Sequence, residues 1–132
     1  PLWAEIRDVR LLGVPGARAV WRIAVPPTGA PAVAAALEAL DAAFYLDWGG
    51  GALGAAVDDA SGRAPDGGAA AIRAALAPAG GHATLIRAPA ALRRAVPVFQ
   101  PEPPGVALLT RNLKTAFDPN GILNPGRMFE GV

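Results

Sequence analysis

Segments of strand-like and helix-like pattern alternate between residues 19 and 88, and their order constrains the fold more than any other feature. The first, AVWRIAV, places Trp21, Ile23 and Val25 on one face of a strand, because successive strand residues point to opposite sides. Arg22 then lies on the other face. The Pro-Pro pair that follows ends the strand, since proline cannot donate a hydrogen bond to a neighbouring strand.

Two helices are predicted from the spacing of apolar residues. In the first, these residues recur at spacings of four, three and four, which places them on one helical face. They are Val33, Leu37, Leu40 and Phe44. Asp66 is suited to cap the second helix, which carries Ile72 and Leu76 on its inner face. Both helices are rich in alanine, so their packing depends on these few larger side chains.

A hairpin separates the two helices, and a last strand follows the second. The stretch FYLDWGGGALGAAVDD predicts two strands joined by a glycine turn, and HATLIRA predicts the last strand. The order β-α-β-β-α-β is that of the split βαβ arrangement, an α+β, ferredoxin-like fold. In it, two helices cover one face of a four-stranded antiparallel sheet. We expect the first and last strands not to be neighbours in this sheet.

The C-terminal part contains a Pro-rich stretch and a third helix. After a short helical turn, VPVFQPEPP is interpreted as an extended strap outside the core. A helix is then predicted from Pro104 to Phe117, and Asp118 ends it because it precedes a proline. The apolar residues expected to face inward are Val106, Leu109, Leu113 and Phe117.

The pattern divides the chain into three parts. Residues 1–17 are expected to be a leading segment or linker, helical or irregular, and residues 18–96 the ferredoxin-like domain. Residues 97–132 contain the strap, the C-terminal helix and the tail. The chain begins with Pro1 and shows no signal peptide, so we expect a piece of a longer protein. No apolar stretch is long enough to predict a transmembrane segment.

Charge and composition exclude several classes of function. The formal net charge is +1, and an RNA-binding sheet would need more aromatic residues than one Tyr and four Phe, so no nucleic acid is expected. The absence of cysteine excludes thiolate catalysis and Cys-ligated zinc or iron–sulfur clusters within these residues. The glycines at 49–51 lack the G-x-G-x-x-G spacing of a dinucleotide site, so we assign them to the hairpin.

Turn-forming residues dominate the tail DPNGILNPGRMF. Asn120-Gly121 predicts a tight turn with positive φ, and Asn124-Pro125-Gly126 predicts a second turn that holds Arg127 outward. Such a tail can present backbone N–H groups to an anion or a cofactor. Alternatively, it is a terminal clamp that only closes the domain.

The stretch AFDPNGILNPGRMF resembles the C-terminal signature D-P-x-x-I-L-N-P-G-[KR] of FAD-linked oxidases of the vanillyl-alcohol oxidase type. With VWRIAVPPTG, YLDWGGG, GGHATLIRAP and VFQPEPP, the chain is similar to the FAD-binding subunits of bacterial glycolate oxidases from about residue 21 onward. The resemblance implies that a cap domain covers the flavin and that the last segment returns to a flavin-binding portion outside this chain.

The resemblance also implies a cofactor, a substrate, partner subunits and a cellular location. The cofactor would be FAD, bound largely outside these residues, with Asn124, Gly126 and Arg127 as flavin-side contacts. The substrate would be a small 2-hydroxy acid such as glycolate. The partners would be a sister flavin subunit and an iron–sulfur subunit, in the cytoplasm or peripheral at the inner face of the cytoplasmic membrane. The isolated chain is expected to be inactive.

Three residues are candidates for a substrate cavity. Arg22 and Arg87 could lie on one sheet face and hold a carboxylate, since guanidinium groups pair with carboxylates through two hydrogen bonds. Trp48, next to Asp47, could line the same cavity. The alternatives are that both arginines are solvated and that Trp48 belongs to the core.

No catalytic residue is assigned. Metal-assisted relatives carry H-x-G-D-G-N-x-H in the hairpin, whereas this hairpin reads LDWGGGALG, and one lone histidine, His82, makes a metal site improbable. His82 could abstract a proton, or it could be a strand-end residue bonded to backbone. We therefore hypothesise that the sister subunit carries the chemistry and that this one assists assembly or electron transfer. The alternative function is a non-catalytic, ferredoxin-like regulatory domain that binds a small molecule.

Overall fold

The computed structural model describes residues 2–7, 12, 19–58, 62 and 64–129. The strands are β1 (Ala19–Ala24), β2 (Ala43–Asp47), β3 (Ala52–Val57) and β4 (His82–Arg87). The helices are α1 (Leu2–Arg7), α2 (Ala30–Ala39), α3 (Ala69–Leu76), α4 (Ala90–Ala95) and α5 (Pro104–Phe117). Of the predicted leading segment, residues 1, 8–11 and 13–17 lie outside the described residues, and the proposed division at residues 17 and 96 stays a prediction.

The four strands form an antiparallel sheet in the order β2-β3-β1-β4. This confirms the α+β, ferredoxin-like class. The expectation that the first and last strands are not neighbours is wrong, because β1 pairs with β4, with Trp21 opposite Leu85. The hairpin places β3 between β1 and β2, so the second crossover returns the chain to the free side of β1.

The core lies between one face of the sheet and helices α2 and α3. Trp21, 1% exposed, is central to it, and its indole N–H donates to the Gly67 carbonyl at 2.7 Å. The backbone of Gly67 has φ of 64°, and a Cβ there would lie within 2.8 Å of the Ala19 Cβ. Glycine is therefore required where the chain approaches Trp21. The Asp66 carboxylate accepts hydrogen bonds from the N–H groups of Gly68 and Ala70 and so caps α3 as predicted, although the N-cap position itself is Gly68.

Helix α2 is shorter than predicted. It ends at Ala39, and Phe44 lies in β2 rather than on the helical face with Val33 and Leu37. The chain reverses because Asp41 adopts φ of 53° and the Leu37 carbonyl accepts a hydrogen bond from the Ala42 N–H at 3.0 Å. Phe44 nevertheless packs against the core. Its apolar character therefore predicted its packing against the core correctly, whereas its assignment to the helix was wrong.

The Pro-rich strap, residues 96–103, covers the outer edge of β4. The Leu85 N–H donates to the Val98 carbonyl at 2.8 Å, and the Ala83 N–H donates to Oε1 of Gln100 at 3.3 Å. These bonds occupy donors that an edge strand would otherwise expose. The strap is not wholly outside the core as predicted, since Val96 is 8% exposed and belongs to the core cluster.

Arg73 of α3 attaches the strap to the helix layer. Its Nη2 donates to the carbonyl oxygens of Pro97 at 2.6 Å and Phe99 at 3.1 Å, and its guanidinium carbon lies 5.6 Å from the Trp21 ring centroid. One side chain therefore connects the central tryptophan of the sheet to the start of the C-terminal part.

Helix α5 forms as predicted, but the prediction that its apolar residues face inward is wrong. Val106, Leu109, Leu113 and Phe117 are between 46% and 82% exposed. The reason is that α2 and α3 already cover the core face of the sheet, which leaves this helix without an apolar surface to contact in the described residues. No helix in the described ranges is long and apolar enough to cross a membrane.

Replacing Arg73 with methionine is expected to release the strap while keeping most of the aliphatic packing. The variant loses two charge-assisted hydrogen bonds, which should lower the free energy of unfolding by about 2 kcal/mol. Urea unfolding measures this, and limited proteolysis should show faster cleavage between residues 96 and 103. Arg94→Met, at an exposed position of α4, is the matched control. Equal stability of the two variants would show that Arg73 does not hold the strap.

Candidate functional site

Asp118 organises the tail that follows α5. It is the C-cap of the helix, and its carboxylate accepts hydrogen bonds from the N–H groups of Ile122 at 3.0 Å and Leu123 at 2.8 Å. Lys114 forms an ion pair with the same carboxylate at 2.7 Å, and its Nζ also donates to the Leu123 carbonyl. Asp118 is only 7% exposed, so this small network fixes the direction in which the tail leaves the helix.

These contacts favour the charged form of the carboxyl group. The hydrogen bond from Lys114, followed by those from the Leu123 and Ile122 N–H groups, lowers the pKa of Asp118 from 3.8 to about 2. The sequence had indicated Asp118 only as the residue that ends the helix. An aspartate placed before Pro-Asn-Gly-Ile-Leu is the signal that could have identified its second role, since aspartate accepts bonds from N–H groups a few residues ahead.

Both predicted turns are present in the tail. The Gly121 N–H donates to the Asp118 carbonyl at 3.0 Å, and the Arg127 N–H donates to the Asn124 carbonyl at 3.2 Å. Gly121 and Gly126 have φ of 63° and 67°, which explains the glycine at both positions. Asn124, with φ of 48°, adopts a conformation that asparagine tolerates better than most residues.

The three predicted flavin-side residues lie beside α5, and all are exposed. Gly126 and Arg127 line a groove of about 720 Å³ between the strap, α5 and the tail. Asn124 lines a neighbouring depression of about 360 Å³ with Lys114 and Met128. The turns thus present these residues outward, and their contact with a flavin stays a prediction.

A second candidate site lies on the sheet face opposite the helices. Arg22 and Trp48 meet there, with the guanidinium carbon 6.0 Å from the indole centroid, and they line a cavity of about 370 Å³. Tyr45, Asp47 and Ile86 also line it. Trp48 is 68% exposed, which excludes the alternative that it belongs to the core. It lies in the turn after β2, and the Asp47 carboxylate accepts its N–H at 2.7 Å.

Arg87 is not brought into this cavity. It is exposed and lies opposite Val20, on the strand next to that of Arg22, but it is not among the residues that line the cavity. Two residues that the sequence did not indicate are important here instead. A Cβ on Gly54 would lie 2.5 Å from the Tyr45 ring, so glycine allows that ring to lie against the sheet.

His82 lies apart from both candidate sites. His82 is exposed at the start of β4, opposite Ala24. Within the part of the chain that the structure describes, no group of three His, Asp or Glu residues is placed to hold a metal ion. His82 does not line either of the two candidate sites.

Comparison with known proteins identifies one similarity. Residues 100–128 match the family model of FAD linked oxidases, C-terminal domain. The matched segment runs from the end of the strap through α5 to the two turns of the tail, and it does not include the sheet. The comparison with curated proteins and that with solved structures gave no match. The C-terminal segment is therefore similar to that of flavin-linked oxidases, a similarity that indicates an oxidoreductase.

The tail network should depend on pH in a defined direction. Because folding lowers the pKa of Asp118 to about 2, its stabilisation is complete above the unfolded value of 3.8 and is lost as the pH falls through 2. In NMR spectra, the Ile122 and Leu123 amide resonances should shift with a midpoint of about 2. Asp118→Asn should abolish this titration. A midpoint at the ordinary aspartate value would contradict the network.

Proposed function

We propose that this chain is the cap and C-terminal part of an FAD-linked oxidase subunit that acts in the oxidation of a small 2-hydroxy acid, glycolate being the first candidate. The observation that carries the proposal is the match of residues 100–128 to the C-terminal domain of FAD linked oxidases. The matched residues include α5, whose apolar stripe is exposed, together with two turns that hold polar groups outward.

The apolar stripe of α5 is suited to packing against a large partner surface. Val106, Leu109, Leu113 and Phe117 follow one another at helical spacings of three and four residues and therefore lie on one side. Ile122 and Leu123 extend the exposed apolar surface into the tail. Full burial of such side chains stabilises a complex by about 1.5–3 kcal/mol each. We propose that this stripe packs against the flavin-binding portion of the oxidase.

The tail offers a donor set that suits FAD. Asn124 has a side-chain amide, Gly126 provides accessible backbone, and Arg127 has a permanent positive charge. Flavin carbonyl oxygens and FAD phosphates are acceptors that such donors bind. When bound, FAD would supply the two-electron acceptor for hydroxy-acid oxidation. The role of these three residues would be to bind and orient it from the cap side.

The sheet-face cavity is the proposed substrate side of the cap. The Arg22 guanidinium can pair with the carboxylate of a 2-hydroxy acid, and Trp48 restricts the orientation of that guanidinium. Arg87 lies on the neighbouring strand and remains a weaker candidate. We assign no catalytic base. We propose instead that a sister flavin subunit carries the main chemistry, that an iron–sulfur subunit receives electrons, and that the complex works in the cytoplasm or at the inner membrane face.

A regulatory domain that binds a small molecule is the second candidate function. The cavity of about 370 Å³ that contains Arg22, Tyr45 and Trp48 favours it, because ligand sites are concave and combine aromatic and charged groups. Such a domain would not require the exposed stripe of α5 or the two turns of the tail. The oxidase proposal is preferred because it explains both features.

Replacing Asn124 and Arg127 with alanine should weaken flavin retention by the oxidase that carries this chain. The double variant should purify with less of the visible flavin band than the wild type, or should lose flavin on dialysis. Asn112→Ala, at an exposed position of α5, removes the same amide outside the tail and should retain the flavin. The measurement is the absorbance spectrum together with the flavin-to-protein ratio.

Two results would oppose the proposal. A wild-type protein that never carries flavin would favour the regulatory function. A flavin-loaded double variant with unchanged retention would show that the turns only close the fold. Binding of a small carboxylate to the sheet face without any flavin, lost in Arg22→Ala, would support the regulatory alternative directly.

A further inference from the structure

The groove between α4, the strap, α5 and the tail concentrates positive charge. Arg93 and Arg94 line it from the last turn of α4, Arg111 lines it from α5, and Arg127 lines it from the tail. All four side chains are exposed. The formal net charge of the whole chain is only +1, so four guanidinium groups around one groove are a local feature and not a reflection of composition.

These guanidinium groups have no counter-ion in the described part of the chain. No carboxylate of the residues 2–7, 12, 19–58, 62 and 64–129 forms an ion pair with any of them. Among the described residues that line the groove, Glu102 is the one acidic residue, and its carboxylate accepts a hydrogen bond from the Thr110 hydroxyl at 2.9 Å. Among the described lining residues, four arginines therefore stand against one glutamate, an excess of positive charge that an anionic partner can neutralise.

The floor between the arginines is apolar and fixed. Phe99 and Phe129 contact each other with ring centroids 6.2 Å apart, and Met128 and Val98 lie beside them. Arg73 holds the Phe99 carbonyl, so the strap is attached to α3 beneath the groove. An apolar floor with a basic rim recognises a ligand that carries both apolar groups and carboxylates.

We propose that this groove binds an acidic segment of a partner protein, with its carboxylates on the four arginines and an apolar side chain on the Phe99 floor. A small-molecule ligand is normally enclosed over about 70–90% of its surface. Here the rim side chains remain exposed along an open groove of about 720 Å³, which suits an extended polypeptide. Arginine pairs with carboxylates through two hydrogen bonds, and complementary charge also speeds the encounter.

The proposal does not depend on flavin binding. Arg93, Arg94 and Arg111 are not among the residues assigned to FAD, and Arg93 and Arg94 lie outside the segment that matches the oxidase family. Of the four arginines, only Arg127 is also assigned to FAD, and Gly126 is the other residue shared by the two sites. The two functions can therefore be separated by changing the α4 arginines alone.

The probe is a fluorescein-labelled peptide of about ten residues that alternates glutamate with leucine and phenylalanine. Its fluorescence anisotropy is measured with the 132-residue chain at low and high salt. The wild type should bind it, with affinity that falls as salt rises, and should not bind the same peptide with lysine in place of glutamate. The double variant Arg93→Glu, Arg94→Glu should bind about tenfold or more weakly.

The matched control is Arg22→Glu with Arg87→Glu. It makes the same change in net charge at two exposed sheet positions that do not line the groove, and it should leave peptide affinity unchanged. Circular dichroism of both variants checks folding, which the exposed positions should preserve. In the flavin-loaded protein, the α4 variant should retain FAD, so loss of peptide binding alone identifies the groove.

Three outcomes would overturn the proposal. Equal affinity of the α4 variant and the control would show that the groove does not carry the interaction. Binding of the lysine peptide would show that charge does not select the partner. Displacement of the acidic peptide by an equimolar amount of inorganic pyrophosphate would show that the groove is a site for a small phosphate ligand.

Discussion

The attachment of the Pro-rich strap to the helix layer depends on the contacts of Arg73. Its guanidinium lies over the Trp21 ring and donates to two carbonyl oxygens of the strap. Burial lowers the pKa of Arg73, and the negative charge of Asp66 opposes this change. The strap in turn covers the edge of β4 and forms the floor of the basic groove. One side chain thus links the central tryptophan of the sheet to the floor of the basic groove.

The local sequence pattern was sufficient to predict the strands and helices. It was insufficient to predict which of them contact one another. Alternation in AVWRIAV and the glycines of the hairpin predicted the strands, since both signals act within a few residues. The pairing of β1 with β4 depends on topology rather than on local pattern, and it was mispredicted. The periodicity of α5 correctly predicted a helix with one apolar face. Its expected burial within this chain was wrong, because periodicity does not specify which surface covers a helix.

In the candidate sites, too, features set by local sequence were predictable and features set by tertiary contacts were not. Gly121, Gly126 and Asn124 were predictable because positive φ favours these residue types. The sequence predicted that Arg22 and Trp48 could line the same cavity, but it did not predict the contact between them. Tyr45 over Gly54 was missed, because it requires the register of two strands. The basic groove was missed for a similar reason: its arginines extend from residue 93 to residue 127 and meet only through the strap and α5.

Hydrogen exchange at α5 and the tail tests most directly whether this chain covers a flavin-binding partner. The amides of residues 106–123 are compared in the 132-residue chain alone and in the flavin-loaded oxidase that contains it. If the stripe of Val106, Leu109, Leu113 and Phe117 packs on the flavin-binding portion, these amides should exchange about tenfold or more slowly in the oxidase. Equal exchange in both states would contradict the assignment of α5 and the tail to a flavin-side interface.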